Sequence, residues 1–299
     1  MELVENICQN SQEIILQIYE KIYKQFNAGV IDVFLCGGTD KNSIRNTLRI
    51  HLLENKGIRV LYPEDLFLEL LNINKEYNLL ELENFLAENC DIICIICESP
   101  GSLVELGAFV NNKNLSKKVV ALIEKNKAKK QSFIMLGPIK SLKKIGKYHY
   151  SAYEKNKVEE LAKKLKNIFK NNKEEQNNDC NKTEINTIIG LYYFIQILLY
   201  FFAIISSNDL AGSLKTLWQK KKFSINQFDP TYKSALKLLK KERIVEQVFI
   251  EGKKVLRLTK KGYKIIIDNL NKVKIPKRTI LQDRIRFDIM KKKYYNYLS

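Results

Sequence analysis

Histidine is nearly absent from this 299-residue chain, which carries only His51 and His149. So small a supply argues against a His-rich metal site and leaves a Ser-His-Asp triad little to draw on. Five prolines and twelve glycines exclude collagen-like and Pro-rich architectures. The six cysteines do not read as a disulfide framework. Cys36, Cys94 and Cys97 lie inside or at the end of apolar runs, as buried thiols do. Cys90, Cys94 and Cys97 are spaced C-x3-C-x2-C, yet on a strand Cys94 and Cys97 point to opposite faces, and no second Cys or His pair complements them. The expectation is therefore no metal and a reducing, cytoplasmic compartment. The opening MELVENICQNSQEI lacks the basic stretch and apolar core of a signal peptide.

What the chain has in excess is positive charge. It holds 51 Lys+Arg against 33 Asp+Glu, a formal net of +18. Residues 1–180 contain 26 basic and 24 acidic residues, whereas residues 181–299 contain 25 and 9. The excess thus belongs almost wholly to the C-terminal part. Such asymmetry points to one part that meets nucleic acid or another anionic surface and a second part with a different task. With 45% hydrophobic residues the chain can build a sizeable core.

The apolar pattern of the first part alternates between two periods. Ile14, Ile15, Ile18, Ile22, Tyr23 and Phe26 recur at helical spacing. Val30–Cys36 is a β-branched strand, and Ile44, Leu48, Leu52 and Leu53 resume a helix. Ile58–Tyr62 reads as the next strand, residues 79–88 as a helix, and Asp91–Cys97 as a nearly continuous apolar strand of the kind buried on both faces of a parallel sheet. A helix opens at Ser99–Ser102 and runs through Val110. Val119–Ile123 is a further strand, and an amphipathic helix spans Val158–Phe169. This alternation predicts an α/β domain with a doubly wound parallel sheet over residues 1–170. Residues 171–182, polar and without periodicity, read as a linker, and the charge balance changes at the same place.

Residues 183–299 open on Ile188–Ile205, eighteen residues without charge. That run reads as a buried or dimer-forming helix, with a membrane segment as the minority alternative because the length only just suffices. Helices follow at 209–219 and from Phe228, then two short strands, Val245–Ile250 and Val255–Leu258, about a Glu-Gly-Lys-Lys turn, and a last helix over Lys264–Leu270. This is the element order of a winged helix-turn-helix, and Leu258-Thr259-Lys-Lys-Gly262 resembles the LT-x-x-G found after the wing of many such regulators. Tyr232, Lys233, Lys237, Lys240 and Lys241 on the recognition helix, with Lys253 and Lys254 at the wing tip, are the candidate nucleic-acid contacts. Lysines without an Asn/Gln cluster suit phosphate contacts better than base readout. A winged helix used for protein contacts is the alternative.

In a doubly wound sheet, ligands bind outside the carboxyl ends of the strands. Two loops there carry candidate residues. Gly37-Gly38, directly after a strand, would let backbone approach a phosphate or ribose, with Arg45 one turn into the next helix, or would merely turn the chain. The second loop is Glu98-Ser-Pro-Gly-Ser102-Leu-Val-Glu105. Ser102-x-x-Glu105 has the spacing of a capping box. The functional alternative sets Glu105 in the first turn facing the cleft, where its carboxylate would attack or stabilise C1′ of a ribosyl group.

The segment CDIICIICESPGSLVELGAF (Cys90–Phe109) resembles the active-site region of the nucleoside 2-deoxyribosyltransferase-like superfamily, which has a flavodoxin-like fold. VFLCGG and VLYPEDLF (Val60–Phe67) match the first two strand ends of one branch. With the winged-helix part, the whole chain is similar to the effector proteins of bacterial retrons. The resemblance implies a toxic N-glycosidase of anti-phage defence that cleaves the nicotinamide–ribose bond of NAD, with NAD as substrate and no cofactor. It implies Glu105 as the catalytic carboxylate. Gly37, Gly38, Arg45, Ser99, Gly101 and Ser102 would line the site, with Glu64 and Asp65 as weaker candidates. Glu20, Asp91 and Glu98 are further carboxylates that could assist, with capping or anchoring the start of its strand as the alternative for Asp91. The implied partners are a retron reverse transcriptase and its msDNA or non-coding RNA, in a homo-oligomer or higher assembly off the membrane. A nucleotide-sensing winged-helix transcription regulator without catalysis is the alternative function.

Overall fold

The structure is a computed structural model and describes residues 11–28, 30–55, 57–62, 89–176 and 184–295. The chain divides into two compact units, Val30–Asn181 and a second made of Met1–Gly29 with Lys182–Ser299.

In chain order, α1 (Gln12–Ile18) continues through a π-helical segment, Tyr19–Tyr23, into a last turn, Lys24–Ala28. The elements of the first unit are β1 (Ile31–Cys36), α2 (Ile44–Glu54), β2 (Ile58–Leu61), β3 (Ile92–Ile96), α3 (Pro100–Asn111), β4 (Val119–Glu124), α4 (Pro138–Ile145), β5 (Tyr150–Tyr153) and α5 (Val158–Glu175). Then come α6 (Ile188–Phe202), β6 (Ile204–Ser206), α7 (Ser207–Lys220), α8 (Phe228–Lys241), β7 (Val245–Ile250), β8 (Lys253–Leu258), α9 (Lys260–Lys272) and α10 (Arg278–Tyr295).

Among the described residues of the first unit, five parallel strands lie in the order β2-β1-β3-β4-β5. The apolar runs of β1, β3 and β4 are buried almost throughout, because a parallel sheet is covered on both faces. One face sends Val33, Leu35, Ile92, Cys94, Ile96, Val120 and Leu122 into a core with Leu48 and Leu52 of α2 and Leu161, Leu165 and Phe169 of α5. Successive side chains alternate faces, so the other face carries Phe34, Ile93, Ile95 and Ala121. There α3 packs on β3 and β4, with α4 beside it. This is the doubly wound α/β arrangement.

Two boundaries differ from the sequence expectation. α5 runs to Glu175, beyond Phe169 and into the residues read as linker, because Asn172 is fully buried and Lys173 and Gln176 bond back to the sheet. The helix over residues 12–28, expected in the first domain, belongs to the second unit. Tyr19 and Tyr23 pack edge-on against Phe194 of α6, and the Tyr19 hydroxyl donates to Glu184 Oε2 at 2.5 Å.

In the second unit, α6 is buried along all but one of its fifteen residues. The apolar run read as one helix to Ile205 stops at Phe202. Ala203 takes φ +64°, and Ile204–Ser206 become a strand paired antiparallel with β8. No helix among the described residues is long and apolar enough to cross a membrane. β6, β8 and β7 form a three-stranded sheet, and β7–β8 is the expected hairpin. Its turn, Glu251-Gly252, has φ of +51° and +76°, as a two-residue type I′ turn requires.

Candidate active site and nucleic-acid interface

The order β2-β1-β3 places the topological switch point between β1 and β3, where chain connections depart to opposite faces and where open α/β sheets bind their ligands. Both candidate loops leave the sheet there. Cys36 pairs with Ile95, so Gly37-Gly38 and Glu98 emerge side by side.

Glu98 joins these loops. Its Oε1 accepts the backbone N–H of Gly38 at 3.1 Å and of Arg45 at 3.2 Å, and its Oε2 accepts the N–H of Ile44 at 3.0 Å. The carboxylate therefore occupies the positive end of α2, a place that a substrate phosphate would otherwise favour. Ser43 completes the end by accepting from Asn46 N at 3.3 Å. Sequence reasoning counted Glu98 only as a spare carboxylate. The N–H of Gly38 that it offered to a ligand is held by the protein itself.

Arg45 is 5% exposed, and its guanidinium lies over Tyr62, 4.4 Å from the ring centroid. Arg49, one turn on, shares that ring at 4.5 Å, and the Tyr62 hydroxyl donates to Asn46 Oδ1 at 2.6 Å. Arg45 thus extends toward the carboxyl end of β2 rather than back over the glycine loop. Glu64 and Asp65 lie outside the described residues.

The start of α3 resolves the capping alternative. Ser99, not Ser102, is the N-cap, and its partner in the capping box is Ser102. Ser102 N donates to Ser99 Oγ at 3.3 Å, and Ser99 N donates to Ser102 Oγ at 3.1 Å. Ser102 Oγ also donates to the Ser99 carbonyl at 2.8 Å. Glu105 stands outside the box, in the second turn rather than the first, and is half-buried. Ser99 and Ser102 shape the helix entry, with Ser102 buried, and Gly101 is exposed between them.

The remaining carboxylates sit elsewhere. Asp91 is at the amino end of β3, accepting from Asp32 N at 2.9 Å and Lys173 Nζ at 2.8 Å, which is the anchoring role expected of it. Burial pushes its carboxyl upward, and Lys173 only partly counters this. Beside it Asp32 and its register partner Arg59 form a buried two-point ion pair, at 2.6 and 2.5 Å. Glu20 belongs to the second unit, bonded to Lys221 and Lys24; burial raises its carboxyl, but these two lysines outweigh it and the net shift is downward. Cys36, Cys94 and Cys97 are buried thiols outside any disulfide, as read, and so is Cys90, while Cys8 and Cys180 lie outside the described residues.

On α8, Lys233, Lys237, Lys240 and Lys241 are exposed, as is Lys254 on β8, while Lys253 is half-buried. Tyr232 departs from its expected role. It is 8% exposed and stacks on Phe228 at 5.6 Å, so it packs the core and does not face a ligand. Burial raises its hydroxyl to about 12. The Leu-Thr-x-x-Gly motif has a local cause. Thr259 caps α9 by accepting from Gly262 N at 3.0 Å, and a Cβ on Gly262 would lie 2.1 Å from the Ile244 carbonyl oxygen.

Comparison with known proteins adds the family. The model of the STM3845 retron effector protein matches residues 41–247. A curated relative from Escherichia coli, the Retron Ec86 putative ribosyltransferase/DNA-binding protein, is 36% identical over 156 residues, 52% of this chain and 51% of the relative. The Retron Ec73 putative ribosyltransferase/DNA-binding protein, also from Escherichia coli, is 35% identical over 118 residues, 37% of each chain. The chain thus spans about half the length of the first relative it matches and less of the second. With more than two thirds of its length matched by that family model, the chain belongs to the STM3845 retron effector family.

Proposed function

We propose that this retron effector cleaves an N-glycosidic bond, with the nicotinamide–ribose bond of NAD as its target and Glu105 as the catalytic carboxylate. One observation carries the reading. Ser99 and Ser102 cap α3 between themselves, so the helix beginning at the β1/β3 switch point does not use Glu105 as a cap. The naming of both relatives as ribosyltransferases supports chemistry at C1′ of a ribosyl group.

In the proposed reaction the C1′–N1 bond breaks and nicotinamide leaves with the bonding electrons. The carboxylate of Glu105 stabilises or captures the oxocarbenium-like centre, and water then adds at C1′ to give ADP-ribose and a proton. Glu98 holds the neighbouring loop and the start of α2 in place by its three backbone contacts. Lys182–Ser299, as a winged-helix module, would hold the enzyme on nucleic acid in a complex with reverse transcriptase and msDNA. The +16 excess of residues 181–299 and the DNA-binding part of both relatives' names support this.

The test is nicotinamide release from NAD by the assembled complex. Glu105→Gln is expected to lower turnover by roughly 10²–10⁴-fold while the fold is retained. Equal turnover by the substituted protein would remove Glu105 from the mechanism. Nucleotide binding without any release by the unsubstituted complex would favour a sensor over an enzyme.

A further inference from the structure

Phe249 of β7 is 67% exposed, a large aromatic ring presented to solvent near the tip of the hairpin. The register places it directly opposite Lys254 on β8. Paired residues of an antiparallel ladder share a face, so Phe249 and Lys254 project from the same side of the hairpin. Gln247, two residues earlier on the same face, accepts a hydrogen bond from Lys240 of α8 at 2.9 Å. That contact joins the wing face to the helix. Lys233, Lys237 and Lys240 are spaced i, i+4, i+7 and exposed, so they form a stripe along α8 that leads to the ring.

A lysine stripe alone suits phosphates and nothing more. A stripe that ends on an exposed aromatic suits a strand whose bases are free to stack, because every unpaired base offers a π-face and duplex bases do not. We propose that Phe249 is a base-stacking residue and that the face it shares with α8 takes a nucleic acid with unpaired bases. The inference rests on the reading that this module holds nucleic acid, and it adds which kind. The charge of residues 181–299 argues for a polyanion over an apolar protein partner at this ring.

The experiment measures binding of the full chain by fluorescence anisotropy to three probes. They are a labelled DNA strand without self-complementarity, the blunt duplex of that strand, and a strand of abasic sites of equal length. Phe249→Ala is expected to weaken binding to the single strand by roughly 5- to 100-fold and to leave the duplex within about twofold. Phe249→Trp keeps the single-strand affinity, and the abasic strand binds the original chain no better than it binds Phe249→Ala. An equal loss on strand and duplex overturns the inference, and so does no loss on either, which would assign the ring to a protein contact. If the original chain binds none of the probes even at low salt, the nucleic-acid reading itself falls and takes the inference with it.

Discussion

The carboxylate of Glu98 accepts the backbone N–H of Gly38 at 3.1 Å, so the residue that ends one strand of the switch point fixes the loop that ends the other. Two further N–H groups, of Ile44 and Arg45, converge on the same carboxylate. Removing it leaves two donors at a helix start and one in the glycine loop without that acceptor. Glu98→Ala is expected to destabilise the fold by about 1–3 kcal/mol, and Glu98→Gln by less, since one acceptor oxygen remains. Urea denaturation checks this, and an unchanged midpoint for Glu98→Ala would show that the contacts carry no net stability.

Gly262 faces a carbonyl oxygen rather than space. Because a Cβ there would meet Ile244 O at 2.1 Å, Gly262→Ala forces backbone apart, at an expected cost of about 1–3 kcal/mol. Gly212, within α7, is the control, since a Cβ there meets nothing within 4 Å. Gly212→Ala is expected to stabilise by about 0.5–1 kcal/mol through helix propensity. Thermal melts of the two variants should move in opposite directions.

His149 makes stability depend on acid. It is buried at the start of β5, with Nδ1 3.0 Å from the Val119 carbonyl and Asn172 Nδ2 at 3.2 Å. Burial lowers its pKa below the ordinary value; the Val119 contact and Glu175 only oppose this. The unfolded imidazole takes a proton near pH 6.5, and the folded one does so only at lower pH. Between the two, the unfolded chain binds more protons, so stability rises with pH. The contribution is present above about pH 6.5 and is lost as pH falls through the folded value. Midpoints measured from pH 7.5 down to pH 5 should fall for the original chain more steeply than for His149→Gln.

Much of this was legible in the amino-acid order. Val30–Cys36 and Asp91–Cys97 are apolar enough to announce a sheet covered on both faces, and they form two of the three interior strands among the described residues. The edge strand Tyr150–Tyr153 escaped notice because four residues with alternate burial carry no apolar run. Ile188–Ile205 is uniform in hydropathy, so nothing in it marked the break that the φ of Ala203 makes. Thr187 and Ser206, which cap α6 and α7 by accepting from Gly190 N and Asp209 N, held the missed signal on either side. At the site, Ser102-x-x-Glu105 and Ser99-x-x-Ser102 both have a cap's spacing, and only the observed N-cap decides between them. Tyr232 looked like a contact because it lies among lysines, but a helix of period 3.6 turns it toward Phe228.

The second unit is built from two stretches of chain, Met1–Gly29 and Lys182–Ser299, with all of Val30–Asn181 between them. A ribosome makes these in order. The α/β unit has its whole sequence before the first residue of α6 exists, whereas Tyr19 waits through 175 residues of synthesis for Phe194 to arrive. Domains fold as units while the chain grows. The piece proposed to carry the chemistry is therefore complete first, and the piece proposed to hold it closes last.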